Sequence, residues 1–296
     1  MLAPILLFTY NRPNHTKYTV EALLQNKEAS GSLLIIYSDA SKNENDIEIV
    51  KQTREYLHNI KGFRAIEIVE REKNYGLSDN MVDGVTNVVK QYGKAIVLED
   101  DLLTAPYFLQ YMNNALTLYE HEHDVVCIHG YVYPTKQTLP ETFFLRGADC
   151  WGWATWKRGW AVFNPDAKSL LQQIKEAQLE RSFDFNGTYP YTKMLEMQVD
   201  KKVNSWAIRW YASAFLQNKL TLYPGNSLVA NIGLDGSGTH CGTNKQFEIN
   251  LYDKPVAVNT ISITENQQAH KAFESYFRGS TGVCVRLKNL VKRIIA

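Results

Sequence analysis

Cysteine is scarce in this chain, and the little there is does not cluster. The 296 residues hold four cysteines, Cys127, Cys150, Cys241 and Cys284, widely spaced and without a Cys-x-x-Cys pair. That pattern argues against a zinc site or a disulfide framework and fits a reducing cytosol. An excess of one charge is also missing. Against 31 Asp and Glu stand 32 Lys and Arg, a formal charge of +1, so no nucleic-acid partner is expected. No stretch reaches the roughly 18–20 apolar residues of a membrane-spanning helix. The first residues are apolar but lack a basic lead-in and a small-residue cleavage site, which points to a first strand rather than a secretory leader. Internal repeats and low-complexity tracts are absent as well.

What the chain has is core-forming and aromatic residues. It is 45% hydrophobic, 21% charged and 12% aromatic, with 17 Tyr and 6 Trp. Such proportions suit one large α/β domain with an elaborated second half. Through residue 130, strand-like runs at Ile5–Thr9, Leu33–Ser38, Ala65–Val69, Ala95–Leu98 and Val125–Ile128 alternate with helix-like stretches. These helical stretches are Pro13–Gln25, Asp46–Ile60, Ser78–Gln91 and Pro106–Tyr119, with Pro13 and Pro106 suited to a first turn and Asp46 and Ser78 to N-caps. This alternation predicts a mostly parallel sheet with helices on both faces. After residue 130 it stops, giving way to an aromatic block, Trp151-Gly152-Trp153-Ala154-Thr155-Trp156, preceded by a short strand at Phe143–Leu145. Helical patterns follow at Ala167–Arg181, Thr192–Lys202 and Trp206–Asn218, then a strand at Thr221–Tyr223 and a Gly-rich loop around Gly233, Gly236 and Gly238. The expected organisation is a single domain: a first half (1–130) that begins a site, a second half (131–245) that completes it and a C-terminal extension (246–296). The last residues, 285–295, alternate apolar and basic side chains at helical spacing. Such a tail suits peripheral contact with an anionic membrane, or equally a docked last helix with a basic outer face.

Ala95-Ile96-Val97-Leu98-Glu99-Asp100-Asp101 is the most informative segment. A buried-type strand ends in three carboxylates, at the end of the sheet where open α/β folds place ligands. Like charges packed together call for a cation, and a divalent metal carrying a phosphorylated ligand would supply it. Three other strand ends fit the same site. Thr9-Tyr10-Asn11-Arg12 puts a cation just before a helix start, suited to a diphosphate. Ser38-Asp39 offers an acid for a base or ribose, or else a turn cap. Asn74-Tyr75-Gly76-Leu77 allows close backbone approach at Gly76.

Phe8-Thr9-Tyr10-Asn11-Arg12-Pro13, the strand ending at Asp39, Asn74-Tyr75-Gly76-Leu77 and Leu98-Glu99-Asp100-Asp101-Leu102 followed by Ala105-Pro106-Tyr107-Phe108 together resemble nucleotide-sugar glycosyltransferases of the GT-A fold. The Glu-Asp-Asp-Leu…Ala-Pro-x-Phe run is most similar to the N-acetylglucosaminyltransferase I family. The length and the aromatic block are closer to its bacterial polysaccharide-building relatives. The resemblance implies a role for each matching residue. Asp39 would recognise uracil or another base, with Thr9, Arg12, Asn74, Gly76 and Leu77 around the nucleotide. Glu99 and Asp100 would sit by the ribose or metal, and Asp101 would hold Mn²⁺ or Mg²⁺ on the diphosphate. His240, after the Gly-rich loop, would be a second metal ligand. Trp151 and Trp153 would line the sugar pocket, and Arg209 hints at an anionic acceptor.

One expected group is missing. Inverting relatives carry a catalytic acid on the helix corresponding to Asn204–Trp210, and no carboxylate occurs from Lys201 to Trp210. Either Asp149 or Asp235 takes the role, or the reaction retains configuration, or activity is impaired. Asp149, beside the aromatic block, is the first choice. The expected function is metal-dependent sugar transfer from a nucleotide-diphosphate donor, UDP-sugars favoured, to a glycan or lipid-linked glycan acceptor. Its expected place is the cytoplasm, at the inner face of a bacterial plasma membrane. A metal-dependent phosphohydrolase or nucleotidyltransferase, and a non-catalytic sugar-nucleotide-binding protein, are the alternatives.

Overall fold

The computed structural model of the protein describes residues 1–235 and 247–281. In chain order the first half runs β1 (Ile5–Thr9), α1 (Pro13–Leu24), β2 (Leu33–Ser38), α2 (Ile47–His58), β3 (Ala65–Glu70), α3 (Gly76–Tyr92), β4 (Lys94–Glu99), β5 (Leu102–Thr104), α4 (Phe108–Leu118) and β6 (Val125–His129). The second half adds β7 (Thr142–Arg146), β8 (Trp153–Trp156), α5 (Lys157–Trp160), α6 (Ala167–Glu176), α7 (Glu180–Phe183), α8 (Tyr191–Val199), α9 (Trp206–Leu216), β9 (Leu220–Pro224), β10 (Val229–Asn231) and α10 (Gln267–Thr281).

One eight-stranded sheet, ordered β3-β2-β1-β4-β8-β6-β9-β7, unites the two halves, and β5 and β10 form a separate antiparallel pair. β3, β2, β1 and β4 are parallel neighbours, as the alternation predicts. Side chains on β1 point alternately into two cores: Ile5 and Leu7 into one with α1 and α4, Leu6 and Phe8 into another with α3. Burial on both faces explains why β1 and β2 read as continuous apolar runs. A third core, under α6 to α10, is strongly aromatic and includes Phe143, Phe183, Tyr211, Phe273 and Phe277.

Four local expectations give way. The aromatic block contains a strand, β8, wedged antiparallel between β4 and β6. Trp153 and Trp156 do not signal a strand by alternation because all four β8 residues are buried. The helix expected over Ala167–Arg181 is broken between α6 and α7, where Gln178 takes a positive φ of 55°. Neither expected side-chain cap forms. Asp46 precedes α2 but accepts hydrogen bonds from Tyr10 Oη (2.7 Å) and Asn11 Nδ2 (3.2 Å), while Ser78 lies inside α3. Pro106 falls ahead of α4 rather than in its first turn. No helix among the described residues is long and apolar enough to cross a membrane. The basic segment 285–295 lies outside the described residues.

Candidate functional site

The four strand-end loops meet, and they hold one another. The Asp39 N–H donates to the Thr9 carbonyl (3.0 Å), tying β2 to β1. Asp39 Oδ1 accepts from the N–H groups of Ala40 (2.9 Å) and Tyr75 (2.8 Å). Its Oδ2 accepts from Gly76 N–H (2.8 Å) and Asn74 Nδ2 (3.2 Å). Four donors match the roughly four lone-pair positions of a carboxylate. Asp39 therefore organises the start of α3, where Gly76 adopts a left-handed φ of 71° that an L side chain resists. Tyr10 N–H donates to Asp100 Oδ2 (3.3 Å), and Arg12 Nη1 pairs with Asp101 Oδ2 (2.9 Å). Thr9 contributes its carbonyl here, while its hydroxyl is buried with no partner among the described residues.

The acids after β4 are electrostatically strained. Burial, then the charges of Asp101 and Asp100, holds Glu99 well above the ordinary carboxylate range. Burial, then Asp101, pushes Asp100 up to about 7. Burial raises Asp101 too, and Arg12 pulls it back. An all-oxygen cluster whose members repel one another fits a hard divalent cation. Among the described residues no three His, Cys, Asp or Glu side chains converge as a complete cage. Asp101 and its neighbours would thus supply only part of a coordination sphere. A strap passes over this cluster: Ile232 N–H donates to the Asp101 carbonyl (2.9 Å), and Asp235 pairs with His15 (3.2 Å). Gly233 packs so tightly on Asp101 Oδ2 and Arg12 that a Cβ there would collide. Pairing of β10 with β5 delivers the strap, because Asn231 lies opposite Leu102. His240, Gly236 and Gly238 lie outside the described residues.

Asp149 lies on the same sheet edge. β8 runs antiparallel, so its start is level with the carboxyl ends of β4 and β6, and Trp153 is in register with both Val97 and His129. β9 is parallel to β6, which brings Tyr223 to that edge too. Tyr223 Oη donates to Asp149 Oδ2 (3.1 Å), and Cys150 N–H donates to Oδ1 (2.8 Å). His129 Nδ1 stands 3.7 Å from Oδ2. The Cys150 thiol is held well above its ordinary range by burial first, then by the charges of Asp149 and Glu99. Cys150 thus lies within electrostatic reach of both acidic centres.

Other expected site residues divide. Trp151 is partly exposed, edge-on to Tyr131 (4.8 Å) and Phe247 (5.6 Å). Trp153, by contrast, is fully buried against Trp160, Trp206 and Trp210 and is a core residue in this structure. Arg209 corrects the anionic-acceptor reading. Its guanidinium is buried and donates to Ser78 Oγ (2.6 Å), the Ser205 carbonyl (3.1 Å) and Asn204 Oδ1 (3.4 Å), bolting α9 to α3. Leu77 is exposed beside Gly76. Sequence reasoning missed the Tyr10–Asp46 bond, His129 and Tyr223. Only His129 left a signal, as a polar residue ending the buried strand Val125-Val126-Cys127-Ile128.

A model of glycosyl transferase family 2 matches residues 5–165. Among solved structures the chain is similar to TarS of S. aureus, with 14% identity and a TM-score of 0.32 over 50% of this chain and 25% of that one. It is also similar to the mannosyltransferase PcManGT from Pyrobaculum calidifontis in complex with GDP-Man and Mn²⁺. That likeness has 12% identity and a TM-score of 0.31 over 45% of this chain and 36% of the other. The matched part of either protein is well under half its length. No curated protein matches.

Proposed function

The chain belongs to glycosyl transferase family 2 and has the GT-A fold, and we propose that it is a nucleotide-sugar glycosyltransferase that transfers a hexosyl or N-acetylhexosaminyl group in bacterial surface polysaccharide synthesis. The donor is a nucleotide-diphosphate sugar, UDP-sugars favoured by the resemblance to the N-acetylglucosaminyltransferase I family. The acceptor is a glycan or lipid-linked glycan. Residues 1–130 serve the nucleotide, and 131–245 serve the acceptor and the donor sugar.

The mutually bonded loops after β1 to β4 support the donor assignment. Asp101, with Asp100, would hold Mn²⁺ or Mg²⁺, and His240 is proposed as a further ligand. A bound cation supplies charge neutralisation on the departing nucleoside diphosphate. Arg12, already on Asp101, provides a second positive charge for it. Asp39 shapes the base pocket by fixing Asn74, Tyr75 and Gly76.

Asp149 is proposed as the group that takes the acceptor's proton. One observation carries this reading. Where Asp39 accepts four hydrogen bonds, Asp149 accepts one from Cys150 N–H and one from Tyr223 Oη among the described residues, with the Cys150 thiol beside it, and its side chain is 21% exposed. Lone pairs therefore remain for an acceptor hydroxyl. Asp235, paired with His15 on the strap, is the alternative base.

The test is a panel of nucleotide sugars with Mn²⁺, Mg²⁺ or EDTA, read by nucleotide release and by thermal stabilisation. Sugar-dependent release that EDTA abolishes is the expected result. Release from nucleoside triphosphates without any sugar would point instead to a phosphohydrolase, and stabilisation without release to a binding protein.

A further inference from the structure

His129 ends β6 with its side chain wholly out of solvent, at the sheet edge that carries Asp149. Its two ring nitrogens have different duties. Nε2 accepts the Trp151 N–H at 3.0 Å. An imidazole nitrogen that accepts carries no proton, so the ring is neutral and its hydrogen is on Nδ1. Burial favours the same state by lowering the ring's pKa, against the pull of Asp149 and the Tyr131 backbone. Nδ1 is buried and completes no hydrogen bond among the described residues. Facing it are the Tyr131 backbone, which also draws on the ring proton, and Asp149 Oδ2, at 3.7 Å, the same oxygen that receives the Tyr223 hydroxyl. The Tyr223 ring lies edge-on to the imidazole at 5.0 Å, closing the other side. A buried donor left without a partner costs stability. A carboxylate movement of about 0.8 Å would bring the pair to ordinary hydrogen-bond length.

We propose that His129 is a positioning residue: its Nδ1–H closes onto Asp149 and, with Tyr223, aims the second carboxylate oxygen at the acceptor hydroxyl. The backbone N–H of Trp151 sets the tautomer, so the partly exposed Trp151 loop and the orientation of Asp149 are coupled through one ring. This inference rests on the reading of Asp149 as the proton acceptor.

Two measurements test it. The first needs no substrate. In protein labelled with ¹⁵N-histidine, His129 should show a protonated Nδ1 whose resonance moves in Asp149→Asn while Nε2 does not. A proton on Nε2, or an Nδ1 signal indifferent to Asp149→Asn, overturns the proposal. The second compares two substitutions by hydrolysis of UDP-N-acetylglucosamine with Mn²⁺. Asn places its amide near Nδ1, and Gln places its amide near Nε2. His129→Asn should stay within about threefold of the wild-type kcat, and His129→Gln should lose about 10–100-fold with KM for donor unchanged, the usual range for groups that orient a functional ligand. Equal activity, or a more active Gln variant, leaves His129 only the structural task of holding Trp151. If Asp149→Asn itself turns over at the wild-type rate, the base reading fails. If only His129→Gln does, the base reading stands and the positioning role falls.

Discussion

Asp101 and Asp149 share one edge of one sheet, yet they are held in opposite ways. Asp101 is flanked by two further acids and meets a cation, Arg12, at 2.9 Å. Asp149 is bonded by neutral donors, a tyrosine hydroxyl and a backbone N–H. A carboxylate balanced by mobile charge can exchange that partner for a metal or trade it to a phosphate. A carboxylate fixed by neutral dipoles keeps its orientation whatever ions come and go. The first arrangement suits binding a charged leaving group. The second suits a proton acceptor that must stay in place through many turnovers. Asp39 gives a third arrangement, four donors and no spare lone pair, which suits architecture.

That contrast can be broken experimentally, and the largest effect is expected at the charged centre. Asp101→Ala should eliminate metal-dependent donor binding in calorimetry while leaving the circular dichroism spectrum unchanged; undiminished binding would remove Asp101 from the metal site. Next comes the pair of tryptophans that sequence placed together and structure separated. Trp153→Ala should destabilise the fold by about 3–5 kcal/mol in urea unfolding, as for large buried aromatics. Trp151→Ala should leave stability nearly unchanged and raise acceptor KM. Equal stability losses would put both in the core. Asp149→Asn should keep donor affinity and lose transfer by about 10²-fold, the scale of general-base loss. If Asp235→Asn shows that loss instead, the base lies on the strap. The smallest effect is expected at Asp39. Asp39→Ala should lower stability and donor affinity together by roughly 1–3 kcal/mol, because it strands buried donors at the start of α3. A loss of affinity with an unchanged melting temperature would mean that Asp39 touches the nucleotide directly.

The first half was largely legible in the sequence. β1 and β2 match their expected bounds and β4 gains one residue at each end, because strands buried on both faces announce themselves as uninterrupted apolar runs; β3, the half-exposed edge strand, gains one residue, Glu70. The meeting of the four loops followed from the strand-end rule for open α/β sheets. The second half was less legible for the same physical reason that makes it stable. Its packing is aromatic, and Trp153, Trp206 and Trp210 from distant segments stack into one core. A tryptophan that lines a pocket and one that fills a core look alike in sequence. Arg209 misled similarly: its partners Ser78 and Asn204 are neutral and one is far away along the chain, so no charge pattern signalled that it was already occupied.

β8 also carries a consequence for how the protein is made. It is inserted between β4 and β6 after both have been synthesised. Until residue 156 leaves the ribosome, β4 has an open edge along Lys94–Val97, of which Ala95, Ile96 and Val97 are fully buried in the finished sheet. An unpaired apolar edge is a template for pairing with other chains. Nascent chains stalled before Trp153 are therefore expected to cross-link to ribosome-associated chaperones, and that cross-link should weaken once Trp156 has cleared the exit tunnel. The wedge that brings Asp149 to the acidic end of β4 is also the piece for which the growing chain has to wait.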